Sequence, residues 1–201
     1  MAQLKAQLPE LPEARCSRFV QQYGLSEYDA GVLTSSRAMA EFFEGAVTLP
    51  VASPNGQASD LWARAKAVSN WCGGELSRLL NLHNQEVEDI KVTPASLAAL
   101  VDMVEAGKVS NTAAKAVFEA MFETGKHPGA IVQEQGLAQI SGAGELAAIV
   151  AKVIAETPQA VADYKSGKTA AISALMGKVM KETRGRANAA VVTGLLKEQL
   201  G

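Results

Sequence analysis

Apolar residues along this chain recur at intervals of three and four between clear stop signals, and that period predicts helices almost throughout. Residues 12–23 form a first candidate, closed by Gly24, which suits the left-handed position just after a helix. Ser26 and Ser35 stand where each can cap a short helix, the second carrying Met39, Phe42, Phe43 and Val47 on one face. Residues 51–57, VASPNGQ, read as a turn-rich loop. After Ser59 comes the longest periodic run: Leu61, Trp62, Ala65, Val68, Trp71, Cys72, Leu76, Leu79 and Leu80. These side chains make one wide apolar stripe, in which both tryptophans are expected to pack in the core.

Thr93-Pro94 is a strong helix start, with Thr as the cap and Pro at the first helical position. Leu97, Leu100, Val101 and Val104 follow before Gly107. Ser110 or Asn111 caps the next helix, whose inner face holds Ala114, Val117, Phe118, Met121 and Phe122 before Gly125. Lys126-His127-Pro128-Gly129 is the best domain boundary. Beyond it, residues 142–156 carry Leu146, Ile149, Val150, Val153 and Ile154, and Thr157-Pro158 repeats the Thr-Pro start for a short helix ending near Gly167. Helices over 168–184 and 188–200 complete the chain. Helices this short are marginal alone, so the expected fold class is all-α: a helical bundle over 9–125 and a smaller all-helical domain over 126–201, preceded by a linker at 1–8.

Composition agrees with this reading and narrows the function. Hydrophobic residues at 48% and charged residues at 20% exclude wholesale disorder, and aromatics at 5% with no alternating β-branched runs disfavour sheet. No apolar run approaches the ~18 residues of a membrane span, and the first twenty residues lack a secretory apolar core. Cys16 and Cys72 lie far apart with no CxxC spacing, so the expectation is a reduced, cytoplasmic protein without a zinc ribbon.

The catalytic inventory is thin. His83 and His127 lack the partners a metal site needs, since only Glu86 lies at helical spacing from His83. Glu86, Glu88 and Asp89 form an acidic cluster of the kind that usually marks a solvated loop. There is no GxxxxGK[ST], GxGxxG or GxSxG. Neither a catalytic set nor a metal site is predicted.

The net charge of −2 hides an asymmetry: residues 1–124 carry 10 Lys/Arg against 15 Asp/Glu, whereas residues 125–201 carry 9 against 6. Between 165 and 186, six basic residues (Lys165, Lys168, Lys178, Lys181, Arg184 and Arg186) accompany one acid, Glu182. On a helical wheel, Ile172, Leu175, Met176, Val179 and Met180 share one arc, and Ala174, Gly177, Lys178 and Lys181 share the opposite one. Small residues beside cations would let a phosphate backbone approach the helix closely. Gly185 would then stop that helix, and Asn188 would cap the next, turning free N–H groups toward the same corner. The same pattern also suits a plain solvated face, and residue type alone divides the two readings evenly.

The segments LPELPEARCSRFVQQYGLSEYDAGVLTSS, AKAVSNWCGGELSRLLN, AKAVFEAMFETGKHPGAIVQEQGL and LMGKVMKETRGRANAAVVTGLLKEQL resemble the C-terminal region of GatB, the B subunit of aspartyl/glutamyl-tRNA amidotransferase. The strongest markers are Asn70-Trp71 with Gly74-Glu75-Leu76, then residues 118–125, then Gly177-Lys178-Val179-Met180 with Gly185-Arg186-Ala187. The last is also similar to small stand-alone YqeY-like proteins.

The resemblance implies part of a heterotrimeric enzyme that amidates Glu-tRNA(Gln) and Asp-tRNA(Asn) with ATP and glutamine. In that family the ATP, Mg and zinc chemistry belongs to an N-terminal domain not present here, so this chain is expected to be a piece starting near the domain junction, with no catalytic residues and no cofactor of its own. Its implied role is to grip the tRNA body through a helical domain and a YqeY-like tail. The implied contacts are Lys178, Lys181, Arg184 and Arg186 with Gly177 and Gly185, and Lys168 and Lys165 near Gly167 are weaker candidates. The A and C subunits of the amidotransferase are the implied protein partners. The competing expectation is a helical scaffold that docks those partners without touching RNA.

Overall fold

The computed structural model describes residues 10–49, 61–140, 143–168 and 170–200. The expected linker at 1–8, the loop at 51–57 and a helix start at Gly142 lie outside them. The described chain is helical, as expected, with α1 Pro12–Tyr23, α2 Glu27–Leu33, α3 Arg37–Val47, α4 Leu61–Trp71, α5 Ser77–His83, α6 Pro94–Glu105 and α7 Asn111–Thr124. It continues with α8 Pro128–Gln135, α9 Ala143–Glu156, α10 Pro158–Lys165, α11 Ala171–Glu182 and α12 Ala189–Leu200. Among the described residues the sole β-type pairing is an isolated bridge between Ile140 and Ala187.

Two compact units divide the chain. One holds the residues up to Asp102 together with Phe118–Pro128; the other holds Met103–Val117 together with the residues from Gly129 onward.

The first unit is organised around an aromatic trio. Phe19 and Tyr23 from α1 meet Phe43 from α3 with ring centroids 5.0–5.4 Å apart, two of the three pairs being edge-on. Gly24 ends α1 at φ +63, as expected for a left-handed C-cap. A β-carbon there would sit 2.8 Å from the Trp62 ring, and Trp62 Nε1 donates to the Gln22 carbonyl at 3.2 Å. Trp62 is therefore an outer clamp over the end of α1, 57% exposed, and not the core residue its spacing predicts. Trp71 is half-buried against Phe118, 5.4 Å between centroids.

Local capping follows the expected chemistry at some starts and departs from it at others. Ser26 accepts from Asp29 N–H, but it is Ser36 that caps α3, while Ser35 donates to the Val32 carbonyl and closes the preceding turn. At Thr93 the hydroxyl accepts from Ser96 N–H, and Ser96 Oγ accepts in return from Thr93 N–H, a reciprocal box. Thr157, in the same Thr-Pro setting, makes no cap. It is buried, and its hydroxyl donates back to the Val153 carbonyl at 2.5 Å because α9 runs straight into it.

The expected stripe from Leu61 to Leu80 is broken by a π-helical turn at Cys72–Leu76. Two consecutive glycines lower the local helix propensity, and Ser77 donates from both N–H and Oγ to the Cys72 carbonyl five residues back. The wide turn rephases the stripe so that Cys72, Leu76, Leu79 and Leu80 stay buried. Burial alone pushes the Cys72 thiol up to about 12, so it serves as a small apolar side chain. His83 packs beside Phe122 at 5.2 Å. Glu86, Glu88 and Asp89 lie exposed around a single 3₁₀ turn.

In the second unit Leu146, Val150 and Val153 of α9 pack with Leu175 and Val179 of α11 and with Val192, Leu196 and Leu200 of α12. These buried positions follow the 3.6-residue period, so each helix turns one stripe inward.

Candidate nucleic-acid interface

The inward stripe of α11 fixes what its other face presents. Leu175 and Val179 are buried, Ile172, Met176 and Met180 are half-buried, and Ala174, Gly177, Lys178 and Lys181 are exposed. Lys178 and Lys181 are one helical step of three apart, which makes their side chains surface neighbours. Nothing stands within 4 Å of where a Gly177 β-carbon would be, so the helix backbone is open beside them.

The α11–α12 junction is built by residues that the charge pattern does not reveal. Thr183 is buried, and its hydroxyl donates to the Val179 carbonyl at 2.9 Å and accepts from Ala187 N–H at 3.3 Å. Arg184 and Gly185 follow in left-handed conformations, φ +52 and +73. The chain then pairs with Ile140, whose N–H donates to the Arg186 carbonyl at 2.9 Å and whose carbonyl accepts from Asn188 N–H at 3.1 Å. Asn188 Oδ1 accepts from Ala190 and Val191 N–H at 3.0 and 3.2 Å. Asn188 is thus the expected cap, but the N–H groups expected to face an anion are already satisfied by it.

The seven predicted site residues separate into three groups. Lys178, Lys181 and Arg184 are exposed and engage no acid or hydrogen-bond acceptor among the described residues, and Gly177 is open beside the first two. Lys168 instead pairs with Asp163 at 3.0 Å. Arg186 and Gly185 belong to the junction itself. Arg186 Nε donates to the Thr183 carbonyl at 3.2 Å and Nη1 to the Gly136 carbonyl at 3.0 Å. Gly185 is buried, its carbonyl accepts from Ser110 Oγ, and a β-carbon on it would come within 2.7 Å of Thr112 Cγ2. It cannot offer open backbone to a ligand as Gly177 does.

The one acid in the basic segment is drawn aside. Glu182 accepts from Lys152 Nζ at 3.3 Å, and that contact raises the lysine's proton affinity. Lys178, Lys181 and Arg184 therefore remain without an acid partner among the described residues, as does Lys165, and the two lysines of α11 stand beside an exposed glycine, an arrangement suited to holding phosphates as point charges. Among the described residues no three His, Cys, Asp or Glu side chains gather as metal ligands. None of the described helices is long and apolar enough to cross a membrane.

Residues 56–200 match the GatB domain family. The B subunit of the aspartyl/glutamyl-tRNA(Asn/Gln) amidotransferase of Carboxydothermus hydrogenoformans is 45% identical over 200 residues, covering 100% of this chain. Its counterpart from Caldanaerobacter subterraneus subsp. tengcongensis is 46% identical over 98% of the chain, and that from Clostridium tetani 41% over 98%. The chain spans 39% of the length of each of these relatives. An all-helical chain with this extended match belongs to the GatB domain family, and its likeness is to the C-terminal region of the amidotransferase B subunit.

Proposed function

We propose that this chain is the non-catalytic, tRNA-gripping portion of the B subunit of an aspartyl/glutamyl-tRNA amidotransferase, with the tail over 126–201 carrying the RNA contact. The observation that carries the reading is the set of Lys178, Lys181 and Arg184, three cations without acid partners among the described residues, the two lysines beside the open backbone of Gly177. Each would meet a phosphate and release condensed counterions, which supplies affinity without reading sequence. Recognition of this kind follows the shape of a folded RNA. Holding the tRNA body would let its acceptor end reach ATP- and Mg-dependent chemistry elsewhere in a complex with the A and C subunits, in the cytoplasm.

A filter-binding titration of the full 201-residue chain with deacylated tRNA tests this. Binding at low salt that weakens steeply as salt rises is the expected result. Absence of tRNA binding at low salt, with the A and C subunits still captured, overturns it in favour of a docking scaffold.

A further inference from the structure

The π turn at Cys72–Leu76 opens a cleft of about 260 Å³ against α2 in the first unit, and the proposed RNA contact makes no use of it. Its walls include Tyr28, 79% exposed, and Asn70, whose carboxamide makes no hydrogen bond among the described residues. Ser69 also lines it. This residue is only 3% exposed, and its hydroxyl has no partner among the described residues and opens onto the cleft rather than being sealed from water. A hydroxyl placed so at a cleft wall is available to donate to or accept from a group that enters.

Gly73 and Gly74 also line the cleft, and neither is required by a left-handed backbone or a close neighbour. Both are helical rather than left-handed, a β-carbon on Gly74 would meet nothing within 4 Å, and one on Gly73 would only touch Val32 at 3.9 Å. Beyond easing the π turn, the paired glycines leave bare backbone on which a flat group could lie. The neighbouring charges are already spent: Lys66 pairs with Asp29 at 2.5 Å, and Arg78 pairs with both Glu75 and Glu119. A phosphate finds no free cation here. What the cleft does offer is an aromatic ring, a carboxamide, a hydroxyl and backbone without side chains at two glycines.

We infer that this cleft takes one unstacked nucleobase of an RNA loop, stacked on Tyr28 and read at its edge by Asn70 and Ser69. The inference rests on the tRNA-binding reading and adds to it a sequence-reading subsite, separate from the phosphate-holding cations.

The test uses the full chain and the variants Tyr28→Ala, Asn70→Ala and Gly74→Ala, all at exposed positions, with folding checked by circular dichroism. Each is expected to weaken deacylated-tRNA binding, Tyr28→Ala by about tenfold, with the salt dependence unchanged. Gly74→Ala is expected to do so while melting no lower than the parent. Titration of the parent with adenosine, guanosine, cytidine and uridine should shift the Gly73 and Gly74 amide resonances for at least one nucleoside. Nucleoside shifts in a chain that fails to bind tRNA would support the cleft while removing the tRNA reading. Parental tRNA affinity in all three variants, a flattened salt dependence, or loss of a protein partner with RNA binding intact would each overturn the inference.

Discussion

Gly185 lies against Thr112 so closely that a β-carbon at 185 would stand 2.7 Å from Thr112 Cγ2. Gly185 also has φ +73, a conformation that costs a residue with a side chain about 1–2 kcal/mol. Gly185→Ala should therefore destabilise the chain by about 2 kcal/mol or more in urea unfolding. Adding Thr112→Ala should recover part of that loss, because it removes the closest atom and leaves the backbone strain. Full recovery would mean that strain is absent.

Arg64 holds a second such dependency. Its side chain is 2% exposed, Nη1 donates to Asp102 Oδ1 at 2.5 Å, and Nε has no partner. Asp102→Ala would leave a buried guanidinium uncompensated, at a cost of about 3 kcal/mol or more. Arg64→Met in the same background should return most of the stability, since it removes the charge whose burial is the penalty. Chemical denaturation of the three variants decides this.

Glu44 links α1 and α3 by accepting from Arg15 and Arg18. Burial pushes its carboxyl up, but the hydrogen bonds from Arg18 and Arg15 outweigh burial and hold it below the ordinary carboxylate range. Arg18 acts likewise on Glu10. A carboxyl depressed in the folded state stabilises above its unfolded value, about 4.3, and loses that contribution as pH falls through its lower folded value. Thermal melts should be level above about pH 5 and fall below it, with a shallower acid limb in Glu44→Gln. An acid limb as steep in Glu44→Gln as in the parent would contradict this.

Gly177 separates stability from binding. With nothing near its β-carbon position, Gly177→Ala should stabilise α11 by up to about 1 kcal/mol. If phosphates approach the backbone there, the same change should lower tRNA affinity. A variant both more stable and fully competent to bind would show that the open backbone has no part in the contact.

Much of this was legible from residue spacing, because burial of one stripe per helix forces a 3.6-residue repeat. Leu146, Val150 and Val153 or Leu175 and Val179 need no other information to be assigned inward. Long-range choices were not legible. Thr93 and Thr157 share the Thr-Pro pair, yet one caps its helix and the other bonds backward, according to whether a helix runs directly into it. Trp62 fits an apolar stripe but clamps the outside of Gly24, and Arg64 breaks the same stripe because Asp102 receives it. Charge marked six cations between 165 and 186, and spacing set Lys178 and Lys181 together on one helix face. The fold adds that Lys178, Lys181 and Arg184, like Lys165, have side chains free among the described residues, whereas Lys168 is paired with an acid and Arg186 is tied to carbonyls.

That distinction makes the salt dependence of tRNA binding decisive. For the chain with Lys178→Ala, Lys181→Ala and Arg184→Ala together, the slope of log affinity against log salt should be shallower by roughly 2 to 3. Lys168→Ala should leave the slope near parental. Equal slopes in the parent and the triple variant would contradict the assignment of these three side chains to the RNA.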